Sequence, residues 1–212
     1  MKRLCGMIGI TGTLTLFLSA PASAQETVVD FESRGAGCSA AIPNGYAGFN
    51  WTGWGTCDTT LGTPGTVAAI ISGEIGAFNF NGGNTVISGS PFNFIRAYLN
   101  SGWLTDLNIT IVGKLGGNSV FEKTLLGLNA ATSGAWYEFG YKIDELAFSA
   151  EAGGSTFESA FPSLYGGYVG TEFVMDDFTF THTPEPSTVV LLATGLLGLG
   201  LYHRRRKRDL EG

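Results

Sequence analysis

The sequence predicts an all-β ectodomain, an antiparallel, jelly-roll-like β-sandwich, followed by a single C-terminal transmembrane helix. Segments rich in Val, Ile, Thr, Phe and Tyr, which suit a pleated surface, are separated by glycines, of which the chain has 32. Within Leu107–Val112 apolar and polar side chains alternate, so one face of that strand is expected to lie on a core and the other in water. Helical periodicity is absent before the C-terminal tail, and about eight strands are expected.

The first 24 residues predict a secretory signal peptide. Lys2 and Arg3 precede an apolar stretch from Leu4 to Leu18, and Ala22-Ser23-Ala24 is a small-residue cleavage pattern. The mature chain is therefore expected to begin at Gln25, directly after Ala24.

Residues 25–183 form the predicted ectodomain, which at about 160 residues is long enough for one domain with a substantial core. Between Gln25 and Pro186 the chain has sixteen acidic and five basic residues, a net charge of −11. The basic residues are scattered along the sequence and do not cluster. This charge pattern argues against nucleic acid or anionic lipid as a partner.

Two cysteines remain once the signal peptide, which contains Cys5, is removed. In an oxidising compartment Cys38 and Cys57 are expected to form a disulfide that closes a loop of about 20 residues and stabilises the fold by about 3 kcal/mol. Metal ligation is the alternative, although no histidine lies nearby in the sequence. The segment from Gly35 to Gly65, which holds both cysteines, has little regular pattern and predicts a long loop.

Three tryptophans are the candidate ligand-binding residues. Trp51 and Trp54 lie inside the loop that the cysteines would close, and Trp103 follows a turn-like Asn-Ser-Gly sequence. Exposed aromatic faces at these positions favour carbohydrate binding, because the C–H groups of a sugar pack on a ring. The alternative is that the rings build the core, as large aromatics do in sandwiches. Trp136 and Tyr137, inside a predicted strand, are assigned to the core.

The last predicted strand carries two neighbouring carboxylates. In an ideal strand Asp176 shares one face with Val174 and Phe178, so a charge would lie in line with apolar side chains. A buried charge needs a partner. The residues leave open a bulge or strand-edge turn that puts Asp176 and Asp177 in water, or a pair with Arg34 or Arg96.

The first strand, Val28–Glu32, and the last strand, Phe173–Phe180, resemble the terminal strands of galactose-binding-like and carbohydrate-binding jelly rolls. The resemblance implies that the two strands lie near each other and support a structural calcium ion held by carboxylates and backbone carbonyls. Glu32 with Asp176 or Asp177 would supply the carboxylate ligands.

Histidine-based catalysis has no candidate in the ectodomain, because its histidine, His182, lies at the junction to the tail. This argues against Ser-His-Asp and Cys-His nucleophilic sites and against the usual zinc hydrolase sites. Glycoside hydrolysis needs only two carboxylates at a set separation, which a sequence does not measure. The ectodomain is predicted to be non-catalytic.

The C-terminal tail has three parts. Pro184-Glu185-Pro186 comes first, an uncharged and mostly apolar stretch covers residues 187–202, and the basic cluster 204–208 begins with Arg204, Arg205 and Arg206. A helix over 187–202 would rise about 24 Å, slightly less than a hydrocarbon core of about 30 Å, and the basic cluster would stay on the cytoplasmic side. The three parts in this order, over residues 184–208, resemble the PEP-CTERM protein-sorting signal of Gram-negative bacteria.

That resemblance implies an exosortase as processing partner. The enzyme would recognise Pro184, Glu185 and Pro186 in the inner membrane, after transient insertion of the tail, and release the protein to the cell surface or the medium. Hosts of such proteins usually make exopolysaccharide, so the predicted function is a non-catalytic binding module associated with exopolysaccharide or biofilm. The alternatives are a plain C-terminal anchor for the tail, and a structural matrix component or a small polysaccharide hydrolase for the ectodomain.

Overall fold

The computed structural model describes residues 25–35, 37–38, 40–154, 170–182, 194–200 and 203. The chain divides into a β-rich unit, residues 24–183, and a second unit formed by the two termini. Of the second unit, residues 194–200 and 203 are described, and they are helical. No helix within the described ranges is long and apolar enough to cross a membrane.

Several predictions concern residues outside these ranges. They include the signal peptide with Ala22 and Ala24, the Pro184–Pro186 motif and the arginines Arg204, Arg205 and Arg206. The transmembrane helix over 187–202 lies partly outside them and stays a prediction.

Ten strands and one short α-helix make up the described part of the β-rich unit. The strands are β1 (Glu26–Val29), β2 (Ala40–Ala41), β3 (Asn50–Thr52), β4 (Trp54–Asp58), β5 (Ile75–Asn79), β6 (Thr85–Ser101), β7 (Leu107–Leu115), β8 (Asn118–Leu128), β9 (Ala135–Ala152) and β10 (Phe173–His182), and helix α1 is Pro64–Ala69. Every pairing between them is antiparallel. The prediction of an antiparallel all-β ectodomain is confirmed.

The strands join in the order β2-β4-β5-β10-β6-β9-β7-β8, with β1 beside β10 and β3 beside β6. Two long strands, β6 and β9, serve both layers of the fold. The first half of β6 pairs with β3 and the C-terminal half of β9, and its second half pairs with β10 and the N-terminal half of β9. The register shifts between Ser88 and Phe92 and between Phe94 and Arg96. Such bulges bend strands, so the sheet folds over itself into a sandwich.

The core lies between the two layers. Trp54 of β4 packs edge-on against Phe148 of β9, with ring centroids 5.2 Å apart, and against Phe173 of β10 at 5.5 Å. Three strands separate β4 from β9 in the sheet order, so this contact crosses from one layer to the other. Burial of each such side chain stabilises the fold by roughly 1.5–3 kcal/mol.

The prediction of a long loop from Gly35 to Gly65 is wrong, because the segment contains β2, β3 and β4. Every residue of β4 is buried. Position 55 of β4 is a glycine because a Cβ there would lie 2.6 Å from the Phe80 ring. In the sequence this glycine looks like a loop residue, and it therefore conceals the strand. The glycine marks the close approach of a neighbouring side chain. Strand β9 runs without a break from Ala135 to Ala152.

Candidate functional site

Trp51 and Trp54 lie in the core, 4% and 1% exposed. Trp51 packs edge-on against Phe31 and Phe178, and its indole N–H donates to the carbonyl of Tyr46 at 2.9 Å. A ring enclosed in this way offers no face to a sugar. The assignment of these two residues to ligand binding is therefore wrong, and their alternative role as core residues is confirmed.

Trp103 lines an open pocket of about 190 Å³ beside the disulfide. Both Trp103 and Phe78 are half-buried there. The walls come from β4, β5, β10, helix α1 and the turns next to them, and they consist of Cys38, Cys57, Leu61, Gly62, Thr63, Thr66, Phe78, Gly102, Trp103, Glu172 and Val174. Pockets for drug-sized ligands measure about 300–1,000 Å³, so this one suits a single small ring.

Hydrogen bonds at the start of α1 fix the turn that carries Trp103. Thr63 is the N-cap of α1, and its hydroxyl accepts the N–H of Thr66 at 3.1 Å, ahead of a proline at the first helical position. The same hydroxyl donates to the carbonyl of Gly102 at 2.6 Å, and the N–H of Gly102 donates to the carbonyl of Glu172 at 2.9 Å. The helix, the Trp103 turn and the approach to β10 are thereby tied together.

The structure joins Cys38 to Cys57 in a disulfide, as predicted. Next to it, Asp58 is 3% exposed and accepts the N–H of Gly37 at 2.6 Å. Its other oxygen accepts the hydroxyl and N–H of Thr60 and the N–H of Leu61. These bonds, above all that from the Thr60 hydroxyl, hold the pKa of Asp58 below its usual value. Disulfide and carboxylate together fasten residues 37–38 to β4 at the edge of the pocket.

Asp176 lies at a β-bulge, so the expectation that it faces the core beside Phe178 is wrong. Asp177 has φ +49, and the register with β6 shifts between Asp176 and Thr179. The extra residue of the bulge shifts by one position the alternation of side chains between the two faces of the strand. Met175 and Phe178 are therefore both fully buried in the core, although they are three residues apart. The bulge of the alternative is present, but the expectation that it puts Asp176 in water is wrong, because the exposure of Asp176 is 0%.

Backbone N–H groups surround the Asp176 carboxylate. Ile71 and Ser72 donate to it at 2.8 and 2.9 Å, and Asp177 donates its own N–H at 2.8 Å. Burial raises the pKa of Asp176 to about 6, although these hydrogen bonds act in the opposite direction.

Glu32 and Asp177 bind the same segment, residues 71–75. Glu32 Oε1 accepts the N–H groups of Glu74 and Ile75 at 2.8 and 2.7 Å. The hydroxyl of Ser72 donates to Asp177 at 2.6 Å. The three carboxylates predicted to hold calcium therefore do converge on one segment.

Hydrogen bonds leave few of these carboxylate oxygens for a calcium ion, which needs six to eight oxygen ligands that face it. Both oxygens of Asp176 and one of Glu32 face N–H groups. Within the part of the chain that the structure describes, no group of three or more His, Cys, Asp or Glu side chains could hold a metal. Calcium stays a prediction. The alternative partners do not pair with the aspartates either, since Arg34 donates to the carbonyl of Ala41 and Arg96 lies 3.9 Å from Glu138.

Trp136, assigned to the core from the sequence, is 39% exposed. The Arg96 guanidinium lies over its ring, 4.5 Å from the centroid, and Tyr98 meets it edge-on at 5.6 Å. Its neighbour Tyr137 packs against the core. The sequence did contain a signal against placing both Trp136 and Tyr137 in the core, because only one of two adjacent residues in a strand can face the core.

The sequence profile of the PEP-CTERM protein-sorting motif matches residues 182–207. The chain carries a PEP-CTERM sorting signal. This signal indicates an exported protein that an exosortase sorts, with transient membrane anchoring before release. The PEP-CTERM match begins at the last residue of β10 and leaves the ectodomain unassigned.

No curated protein matches the chain. A DUF4465 family protein from Bacteroides ovatus is similar in structure, with 9% identity and a TM-score of 0.43, over 77% of this chain and 97% of that one. A carbohydrate-binding module, TmCBM61, solved in complex with β-1,4-galactotriose, has 9% identity and a TM-score of 0.31, over 66% of this chain and 95% of that one. Likenesses of this size carry no argument about a ligand. None of the comparisons indicates catalysis.

Proposed function

We propose that the ectodomain is a non-catalytic module that binds an extracellular polysaccharide, and that the pocket at Trp103 holds one sugar residue of it. The observation that supports this is the pairing of two half-buried aromatic side chains, Trp103 and Phe78, with the carboxylate of Glu172 in one open pocket. Aromatic faces take the C–H side of a sugar, and a carboxylate accepts its hydroxyl protons.

The sorting signal supports the same proposal from a different direction. The signal indicates export, which takes the ectodomain out of the cytoplasm to where an extracellular polysaccharide would be within reach. A pocket that holds one ring gives weak affinity, so useful retention on a matrix depends on many copies or many repeats of the ligand.

Retention on exopolysaccharide from the protein's own host, immobilised on a column, tests the proposal. Trp103→Ala is expected to abolish retention, because it removes the ring on which the sugar packs. Leu126→Ala is the matched control: Leu126 is 74% exposed on β8, outside the lining of the pocket. Thermal melting of both variants establishes that they fold.

Unchanged retention of the Trp103→Ala variant would overturn the pocket as the site. Failure of the unaltered protein to bind, together with altered biofilm texture in a deletion strain, would instead favour a structural matrix component. Release of reducing ends from the polysaccharide would show a hydrolase.

A further inference from the structure

A second surface, separate from the Trp103 pocket, lies where β6 and β9 pair. Arg96 stands directly opposite Glu138, and Tyr98 stands opposite Trp136. Residues directly opposite in an antiparallel pair share a face, as do residues two apart in a strand. Arg96, Trp136 and Glu138 therefore lie side by side on one face of the sheet.

Arg96 has hydrogen-bond donors that nothing in the described part of the chain uses. Its Nε is buried and has no acceptor. Its ion pair with Glu138 is long, at 3.9 Å, and the two side chains are 40% and 66% exposed. A pair of this kind contributes little. By contrast, Lys114 meets Glu145 at 2.6 Å.

The ring of Trp136 holds the Arg96 guanidinium in position. A guanidinium stacked on an aromatic face is pre-organised, and its fork of N–H groups matches a carboxylate in a bidentate arrangement. Part of the Trp136 side chain remains open to solvent beside it. The surface thus offers an anion-binding fork next to an exposed indole.

We propose that Arg96 and Trp136 form a binding site for the uronic acid residues of an anionic polysaccharide. The carboxylate of the uronate accepts hydrogen bonds from Arg96 and displaces the weakly held Glu138, while the sugar ring packs against the exposed part of Trp136. This site goes beyond the proposed function and does not depend on the Trp103 pocket.

The charge of the exported domain narrows the choice of ligand. With a net charge of −11 between residues 25 and 186, the domain repels dense polyanions as a whole. Binding must therefore come from direct contact at Arg96 and Trp136, which a carboxylate attached to a sugar ring with an apolar C–H face provides. A highly charged polymer without such a ring lacks the second contact.

Titration calorimetry with oligogalacturonate, on the purified full chain, tests the site. Arg96→Lys keeps the charge but removes the fork, and Trp136→Ala removes the ring, so each is expected to weaken binding about tenfold. Glu138→Gln removes the competing carboxylate and is expected to strengthen binding about threefold.

Arg34→Lys is the matched control, because Arg34 also lies over an aromatic ring, that of Tyr46 at 5.7 Å. It is expected to leave binding unchanged, as is Trp103→Ala, which separates this site from the pocket. A neutral galactan oligomer of the same length is expected not to compete with oligogalacturonate for this site.

Three results would each overturn the site. The first is equal affinity of the Arg96→Lys and unaltered proteins. The second is no gain from Glu138→Gln, an exposed substitution that should not affect folding. The third is equally tight binding of dextran sulfate that is weakened to the same extent by Arg34→Lys and Arg96→Lys, which would show general polyanion adsorption.

Discussion

Asp58 and Asp176 are two buried aspartates with similar partners and opposite titration behaviour. Both have almost no exposure, and both accept three backbone N–H groups. Yet the pKa of Asp58 is lowered and the pKa of Asp176 is raised to about 6. The number of donors therefore does not decide the direction.

The balance between hydrogen bonding and desolvation, together with one neighbouring charge, accounts for the difference. At Asp58 the strongest influence is a hydroxyl hydrogen bond from Thr60, in a turn at the edge of the sheet. At Asp176 desolvation dominates, and the adjacent carboxylate of Asp177 adds repulsion. One aspartate is stabilised as an anion, and the other remains an anion at neutral pH at a cost in stability.

The largest effect is expected for Asp176→Ala. The N–H groups of Ile71 and Ser72 would lose their acceptor, at about 1–3 kcal/mol each, so the free energy of unfolding should fall by about 4 kcal/mol at pH 4, where Asp176 is protonated and the cost of burying its charge is absent. Urea unfolding measures this loss. Asp177→Ala is the control, because Asp177 accepts the Ser72 hydroxyl and its removal should cost about 1 kcal/mol. Equal losses would show that the amides of the segment do not depend on Asp176.

Reduction of the Cys38–Cys57 disulfide tests the Asp58 side of the comparison. Opening the bridge should lower the free energy of unfolding by about 3 kcal/mol. Asp58 still holds residue 37 after reduction, so the reduced Asp58→Asn variant should be destabilised by more than the two separate losses combined. Calorimetric melting with and without reductant measures both, and strictly additive losses would show that the bridge and the carboxylate act independently.

The pH dependence of stability should carry the signature of Asp176. Its folded pKa, about 6, lies above the ordinary value of 3.8, so the native state binds the extra proton. The stability linked to this proton is fully present below about pH 4 and is lost as pH rises through about 6, by roughly 2–3 kcal/mol. Asp176→Asn should abolish that decline, as followed by urea unfolding from pH 4 to 7.

Asp58 should act in the opposite sense and at lower pH. Its depressed pKa contributes stability that is present above 3.8 and lost as pH falls through the folded value. Asp58→Asn should therefore remove part of the acid sensitivity and leave the decline between pH 4 and 6 in place. A variant that altered both regions would argue that the two aspartates are coupled.

The smallest effect on stability is expected from the removal of calcium. Since N–H groups already face Asp176 and Glu32, dialysis against a chelator should change the melting temperature by less than about 1 °C. A marked fall on chelation, reversed by calcium and absent in Asp176→Asn, would show instead that a cation offsets the burial of Asp176.

Sequence reasoning succeeded where a signal is local. The alternation in Leu107–Val112 belongs to β7, and the two cysteines form the predicted bridge. The Pro-Glu-Pro, apolar and basic order of the tail was sufficient for the sorting signal. Sequence reasoning failed where two distant segments meet. Trp51 and Trp54 looked like loop residues because the glycine-rich segment around them concealed β3 and β4.

The candidate site shows the same limit. Trp103 was identified from its turn, but its pocket exists because Thr63, Gly102 and Glu172 bond to one another across long stretches of sequence. The exposed face at Trp136 was missed because the facing of a strand residue depends on which neighbours pack on each side. No local pattern carries that information.

The sequence by itself determined the export route, the antiparallel β class and the disulfide, because each rests on residue type and short spacing. Tertiary structure alone decided which tryptophans are buried and where the bulge turns Asp176 away from the core. It also decided which buried aspartate has a lowered pKa and which a raised one. These properties depend on desolvation and on hydrogen bonds between segments up to about a hundred residues apart, such as Ser72 with Asp176.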